Sequence, residues 1–140
     1  MSSAPTDGPA TASTAVRVLQ AARRLAVGLE TELQREQLGV DHWLAIEALA
    51  ESGGLTMAEL QAETVTAGPT LTRVVDKLST RSLAYREVDA LDRRKVRVYL
   101  SDRGVQTRDR LAAALADVEA EWASTEGFSD EFAMNSRAKS

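Results

Sequence analysis

The feature that most constrains this chain is a change of hydrophobic period between residues 68 and 101. Leu71, Val74, Val75 and Leu78 recur at i, i+3, i+4 and i+7, which puts them on one face of a helix. Pro69 stands where that helix begins, and a proline is tolerated in a first turn because its missing N–H had no partner there. The spacing predicts a helix from near residue 68 to about Arg81. The period then falls to two. Leu83 and Tyr85 alternate with Ala84 and Arg86, and Val96, Val98 and Leu100 alternate with Arg97 and Tyr99. The polar run Asp89-Ala90-Leu91-Asp92-Arg93-Arg94 lies between them, so the two runs read as a β-hairpin with a long tip.

Thr56-Met57-Ala58-Glu59 is a capping box, in which a hydroxyl and a carboxylate each satisfy a backbone N–H at a helix start. A short helix follows it, to about Glu63. Two helices joined by a tight turn and followed by a two-stranded ribbon make a winged helix-turn-helix, placed here at residues 40–101. Longer helical stripes flank it. Val18, Ala22, Leu25, Leu29 and Leu33 mark a first helix over about 14–37, ended by Gly39. Asp41 is read as the N-cap of a second helix, with Trp43, Ile46, Leu49 and Ala50 inward, stopped by Gly53-Gly54. Ser101 caps a long helix with Val105, Leu111, Leu115, Val118 and Trp122 on one side, broken by Gly127. Ser129-Asp130-Glu131 starts a last short helix carrying Phe132 and Met134, and residues 1–12 read as a disordered tail. The expected fold is mainly α with a small β-hairpin wing. A single domain spans 13–140, and the helical segments 13–38 and 102–138 flank the core.

Composition removes several function classes. Without cysteine there is no thiolate metal site, catalytic thiol or cysteine redox sensor, and one histidine leaves little room for a hydrolytic triad. No Gly-rich phosphate loop or nucleophile motif is present, so the chain reads as a non-enzyme with no cofactor and no metal. No secretory signal or membrane span is visible, which makes the expected location cytoplasmic. The formal net charge is −4, yet residues 67–103 carry nine basic and five acidic side chains. An acidic body with one basic segment suits a domain that meets phosphates on one side.

On the helix over 68–81 the face opposite the apolar stripe carries Pro69, Thr72, Arg73, Asp76, Lys77 and Thr80. A helix fits the major groove of duplex DNA, and Arg73 has the fork geometry for guanine or phosphate. Thr70 and Thr72 are short hydrogen-bonding groups able to reach phosphate or a base edge. In the hairpin tip Arg93, Arg94 and Lys95 are three adjacent cations, and arginine is the side chain suited to a narrow minor groove. Asp92, just before them, is placed to hold one guanidinium.

These residues resemble the multiple antibiotic resistance regulator (MarR) family of bacterial transcription factors. Asp92-Arg93-Arg94-Lys95-Val96-Arg97-Val98-Tyr99-Leu100-Ser101, followed by Gly104, is similar to the family's wing signature, Asp-x-Arg and then Leu-Ser or Leu-Thr. Leu55-Thr56-Met57-Ala58-Glu59-Leu60 resembles its small strand and third helix, and Thr70 through Leu78 its recognition helix. The match covers about residues 40–105. The resemblance implies a homodimer with the outer helices intertwined. It implies binding to near-palindromic operators in double-stranded DNA, and repression released by a small aromatic or phenolic ligand. It assigns base contacts to Pro69, Thr70, Thr72 and Arg73, with Lys77 on the same face, and the minor-groove contact to Arg94, supported by Asp92. Arg93 and Lys95 are then expected on phosphates. His42 and Trp43 are candidates for lining a ligand pocket, although burial tendencies read Trp43 as core and His42 as surface.

The sequence departs from the family pattern at three places. Ala67-Gly68-Pro69 replaces the usual polar start of the recognition helix, so the expected sequence specificity is weaker or leans on the wing. Ser82 stands where glycine is common. The segment after Gly127 is short and polar, so a reduced final helix is expected. The altered helix start also supports an alternative: a winged helix turned protein-interaction module with weakened or lost DNA binding.

Overall fold

The computed structural model describes residues 13–127; the tail over 1–12 and the expected helix after Ser129 lie outside them. Five helices and three strands follow one another as α1 (Thr14–Leu33), α2 (Val40–Ser52), β1 (Leu55–Thr56), α3 (Met57–Thr64), α4 (Gly68–Thr80), β2 (Ala84–Val88), β3 (Val96–Leu100) and α5 (Asp102–Glu126). The strands form one antiparallel sheet in the order β1-β3-β2. Val98 of β3 pairs with Leu55 of β1 on one side and Arg86 of β2 on the other.

Local chemistry explains the element ends. Thr56 Oγ1 accepts the Glu59 N–H at 3.2 Å, and the Glu59 carboxylate accepts the Thr56 N–H at 2.9 Å, so the capping box forms as expected. Ser101 Oγ accepts the Gly104 N–H at the start of α5. Ser82 takes the left-handed conformation that ends α4, with φ 60°, and the next N–H, of Leu83, donates to the Leu78 carbonyl at 2.8 Å. The core is built from Leu33, Leu38, Ile46, Leu49 and Leu60, the α4 stripe Leu71, Val74, Val75 and Leu78, then Val98, Leu111 and Leu115.

Several expectations shift. The α-helical part of α1 stops at Leu33. A 3₁₀ turn over Gln34–Glu36 follows, and Gln37, with φ 55°, ends the segment instead of Gly39. The N-cap of α2 is Gly39 rather than Asp41, because the His42 ring in the first turn of the helix supplies the cap: its Nδ1 accepts the Gly39 N–H at 3.0 Å. Ala45, not Ala50, joins the inward face of α2. Leu83 and Tyr85 do not share a buried face. Leu83 is buried as the hydrophobic anchor just past α4, before the strand begins, and the buried residue of β2 is Ala84. Tyr85 lies on the other face, where it stacks on Tyr99 at 5.4 Å. Val18, Ala22 and Val105 are exposed although their spacing fits the stripes. Helix α5 instead brings Gly104 inward. A Cβ there would lie 2.1 Å from the Leu83 carbonyl oxygen, so only glycine lets the α5 start meet the strand entry.

Candidate nucleic-acid interface

Helix α4 owes its orientation to its buried stripe, which leaves Pro69, Thr72 and Arg73 exposed and Thr70 half-buried. Ala67, its N-cap, offers no side-chain hydrogen bond to the first turn. Thr72 donates its hydroxyl proton to the Gly68 carbonyl at 3.0 Å. Arg73 makes no ion pair among the described residues and points a free guanidinium into solvent. Asp76, on the same outer face, is taken by Arg86 of β2 at 2.7 Å, which fastens the helix to the hairpin.

Lys77 is not brought together with Arg73. Its ammonium donates to the Gln37 carbonyl, back toward the α1–α2 connection. Arg81, one turn on, donates to the Glu36 carbonyl at 2.7 Å, and the Glu36 carboxylate in turn accepts from Arg110 of α5 at 2.6 and 3.1 Å. That pairing with Arg110 holds the Glu36 carboxyl below the usual carboxylate range. The second half of α4 is therefore tied through two cations to the same turn that α5 grips.

The hairpin tip carries the second set. Asp92 accepts the Arg94 backbone N–H at 3.1 Å and its guanidinium at 3.2 and 3.4 Å, while the Arg94 side chain stays 91% exposed. These contacts with Arg94 lower the Asp92 pKa. The carboxylate thus sets the direction of a guanidinium that remains open to a partner. Arg93 and Lys95 are exposed beside it.

One group of residues went unread in the sequence. Asp89 is buried at the base of the tip, where it accepts from Arg97 at 2.7 Å and from the Leu91 N–H at 2.8 Å. Both contacts, the Arg97 bond first, lower its pKa. Arg97 also reaches Glu59 at 3.2 Å. The register explains the convergence. Arg97 stands opposite Thr56, whose cap partner is Glu59, and diagonal to Asp89 across the hairpin. Opposite charges at the two ends of a hairpin connection were the available signal. The network holds the tip to the start of α3.

Trp43 is buried in the core at 7% exposure, and the His42 ring is spent on the α2 cap. The groove between α1 and α5 is lined instead by Arg24, Val27, Gly28, Val118, Glu121, Trp122, Thr125 and Glu126. Among the described residues no group of three or more acidic, histidine or cysteine side chains can hold a metal, and no helix is long and apolar enough to cross a membrane.

Residues 36–95, from the 3₁₀ turn to the wing tip, match the model of the MarR family. Over that stretch the chain is similar to the MarR family of winged-helix transcriptional regulators. The regulators of that family bind DNA and are not enzymes. Its fold is similar to that of the apo form of MarR from E. coli, with a TM-score of 0.78 at 17% identity over 92% of this chain and 96% of that one. A mutant MarR from E. coli in complex with operator DNA is similar with a TM-score of 0.73 at 18% identity over 89% of each chain. BpsR of Bordetella bronchiseptica, whose DNA binding is regulated by 6-hydroxynicotinic acid, is similar with a TM-score of 0.75 at 17% identity over 95% of this chain and 99% of BpsR. No curated protein sequence matches the chain. At these identities the solved structures speak for the MarR fold alone.

Proposed function

We propose that this chain is a MarR-type transcriptional regulator, a homodimeric, operator-specific repressor. Helix α4 enters the major groove through Pro69, Thr70, Thr72 and Arg73, and the wing sends Arg94 into the minor groove. Arg93 and Lys95 meet phosphates on either side. The observation that carries this reading is the pair of open guanidiniums: Arg73 without an ion pair among the described residues, and Arg94 held by Asp92 yet 91% exposed. Arg86 and Arg97 of the same helix-and-hairpin unit are bound to carboxylates and Arg81 to a carbonyl, whereas Arg73 on the outer face of α4 and Arg94 at the tip remain open to a partner. Lys77, bound to Gln37, acts here by positioning α4 rather than by touching DNA.

Dimerisation is supported by α1. Val16, Val18, Leu19 and Val27 are 44–69% exposed on it, more apolar surface than one copy covers. In a two-fold dimer the two α4 helices should sit about 34–36 Å apart, one DNA turn. Ligand release is supported by BpsR, whose DNA binding 6-hydroxynicotinic acid regulates. The Glu36–Gln37 turn is one route by which a ligand could reach α4, since Lys77 and Arg81 join α4 to it.

The test is fluorescence anisotropy on duplex DNA over a range of salt. Phosphate contacts require log K to fall linearly with log salt, with a slope of about −0.9 per contact. Arg73→Ala should weaken binding by about 1–3 kcal/mol if it reads a base. Salt-independent binding, or none to any duplex, would remove the reading in favour of a protein-interaction module.

A further inference from the structure

The leading edge of α4 carries little hydrogen-bonding chemistry. Ala67 is exposed and caps nothing, Gly68 has no side chain, and Pro69 is exposed without an N–H. Val65, just before them, is 91% exposed with φ 51°, a conformation that β-branched residues rarely adopt. Thr72 looks polar, but its hydroxyl proton is committed to the Gly68 carbonyl at 3.0 Å. The donor that guanine O6 or N7 and thymine O4 would need is therefore gone, and the methyl group remains. Arg73 is the exposed donor that follows. In the major groove, thymine presents a C5-methyl that an apolar side chain can meet.

We infer that the Pro69 ring and the Thr72 methyl read thymine methyl groups in the operator, with Arg73 as the open charged donor beside them. This inference rests on the DNA-binding reading above. It replaces an expected loss of specificity with a specificity of a different kind, for T over C and over uracil. The partner is duplex DNA because the apolar edge is followed directly by the open Arg73 and the same winged unit carries a cationic hairpin tip, a charge pattern that suits a polyanion. Removing one methyl from such a contact should weaken binding about three- to fivefold, the size expected for burying one methyl group.

The experiment uses the full chain and an operator enriched from a random duplex pool. Each thymine of one half-site is then replaced by deoxyuridine, which deletes the C5-methyl and leaves every hydrogen-bonding group in place. One or two positions should lose about three- to fivefold in affinity. Thr72→Ser keeps the hydroxyl bond to Gly68 and removes only the protein methyl. It should bind the thymine operator about as weakly as the native chain binds the deoxyuridine operator, and it should be insensitive to deoxyuridine at that position. Pro69→Ala should behave likewise at a neighbouring position. Tight operator binding with no deoxyuridine effect anywhere would overturn the inference and leave the DNA-binding reading intact. A deoxyuridine effect that persists unchanged in both variants would also overturn it, because the methyl would then be read through groove shape. Failure to enrich any duplex would overturn the reading it rests on.

Discussion

Acidification should loosen the start of α2, and His42 is the group responsible. Its ring is half-buried, and Nδ1 accepts the Gly39 N–H at 3.0 Å, which an imidazolium cannot do. Burial lowers its pKa, and Lys77 and Arg81 lower it further against the opposing pull of Asp41 and Glu30. The neutral ring is thus the folded form. Because the folded pKa lies below the unfolded value, the stabilisation is complete above about pH 6.5 and is lost as the pH falls through the folded pKa. One proton sets a ceiling of about 1.4 kcal/mol per pH unit. The total is bounded by the cost of stranding the Gly39 N–H, about 1–3 kcal/mol. Glu119 works in the opposite sense: burial and then Glu47 raise its pKa, so its protonation favours the folded state as the pH falls. The comparison that isolates His42 is therefore a variant rather than a pH series alone. His42→Gln puts a neutral acceptor at a capping-box position and removes the titration. Urea unfolding of both proteins between pH 7.5 and 5 should show the native chain losing up to about 2 kcal/mol relative to His42→Gln. Parallel curves would refute the argument. The chain has one histidine, so an NMR titration of its ring assigns the step without ambiguity.

Three further outcomes are expected. Gly104→Ala should destabilise the fold by about 3 kcal/mol, because the new methyl meets the Leu83 carbonyl and strains the Ser101 bond to it, and thermal unfolding reads this as a clear drop in Tm. Ser82→Gly should stabilise by about 1 kcal/mol in urea titration, since φ 60° costs a side-chain-bearing residue and not glycine. Arg94→Ala should weaken binding to A·T-flanked duplexes more than to G·C-flanked ones, whereas Lys95→Ala should weaken both alike and lower the salt slope by about one; equal losses for Arg94→Ala on both duplexes would make it a phosphate clamp.

The helices, the caps at Thr56 and Ser101 and the hairpin could be read along the chain, whereas the cap of α2 could not. The legible features depend on local quantities: the spacing of apolar residues, a hydroxyl three residues before a carboxylate, a serine before a helix. The stripe Leu71, Val74, Val75 and Leu78 is buried as its spacing requires, and Thr56 with Glu59 closes the box that the motif describes. The pairing of Asp92 with Arg94 was legible for the same reason, since the two stand close together in one turn. Tertiary structure alone decided which charged groups stay open. Arg73 and Lys77 are one helical turn apart and chemically alike in sequence, yet Lys77 reaches the Gln37 carbonyl, 40 residues away, and Arg73 reaches no carboxylate among the described residues. A long flexible cation takes whichever acceptor the packed neighbours present, and no period encodes that distance. Asp89, Arg97 and Glu59 meet because β3 is sandwiched between β1 and β2, a register that exists only once the sheet has formed. Likewise Tyr85 lost its inward place when Leu83 was claimed by the end of α4, because a strand's phase is set where the chain leaves the helix and not by alternation alone.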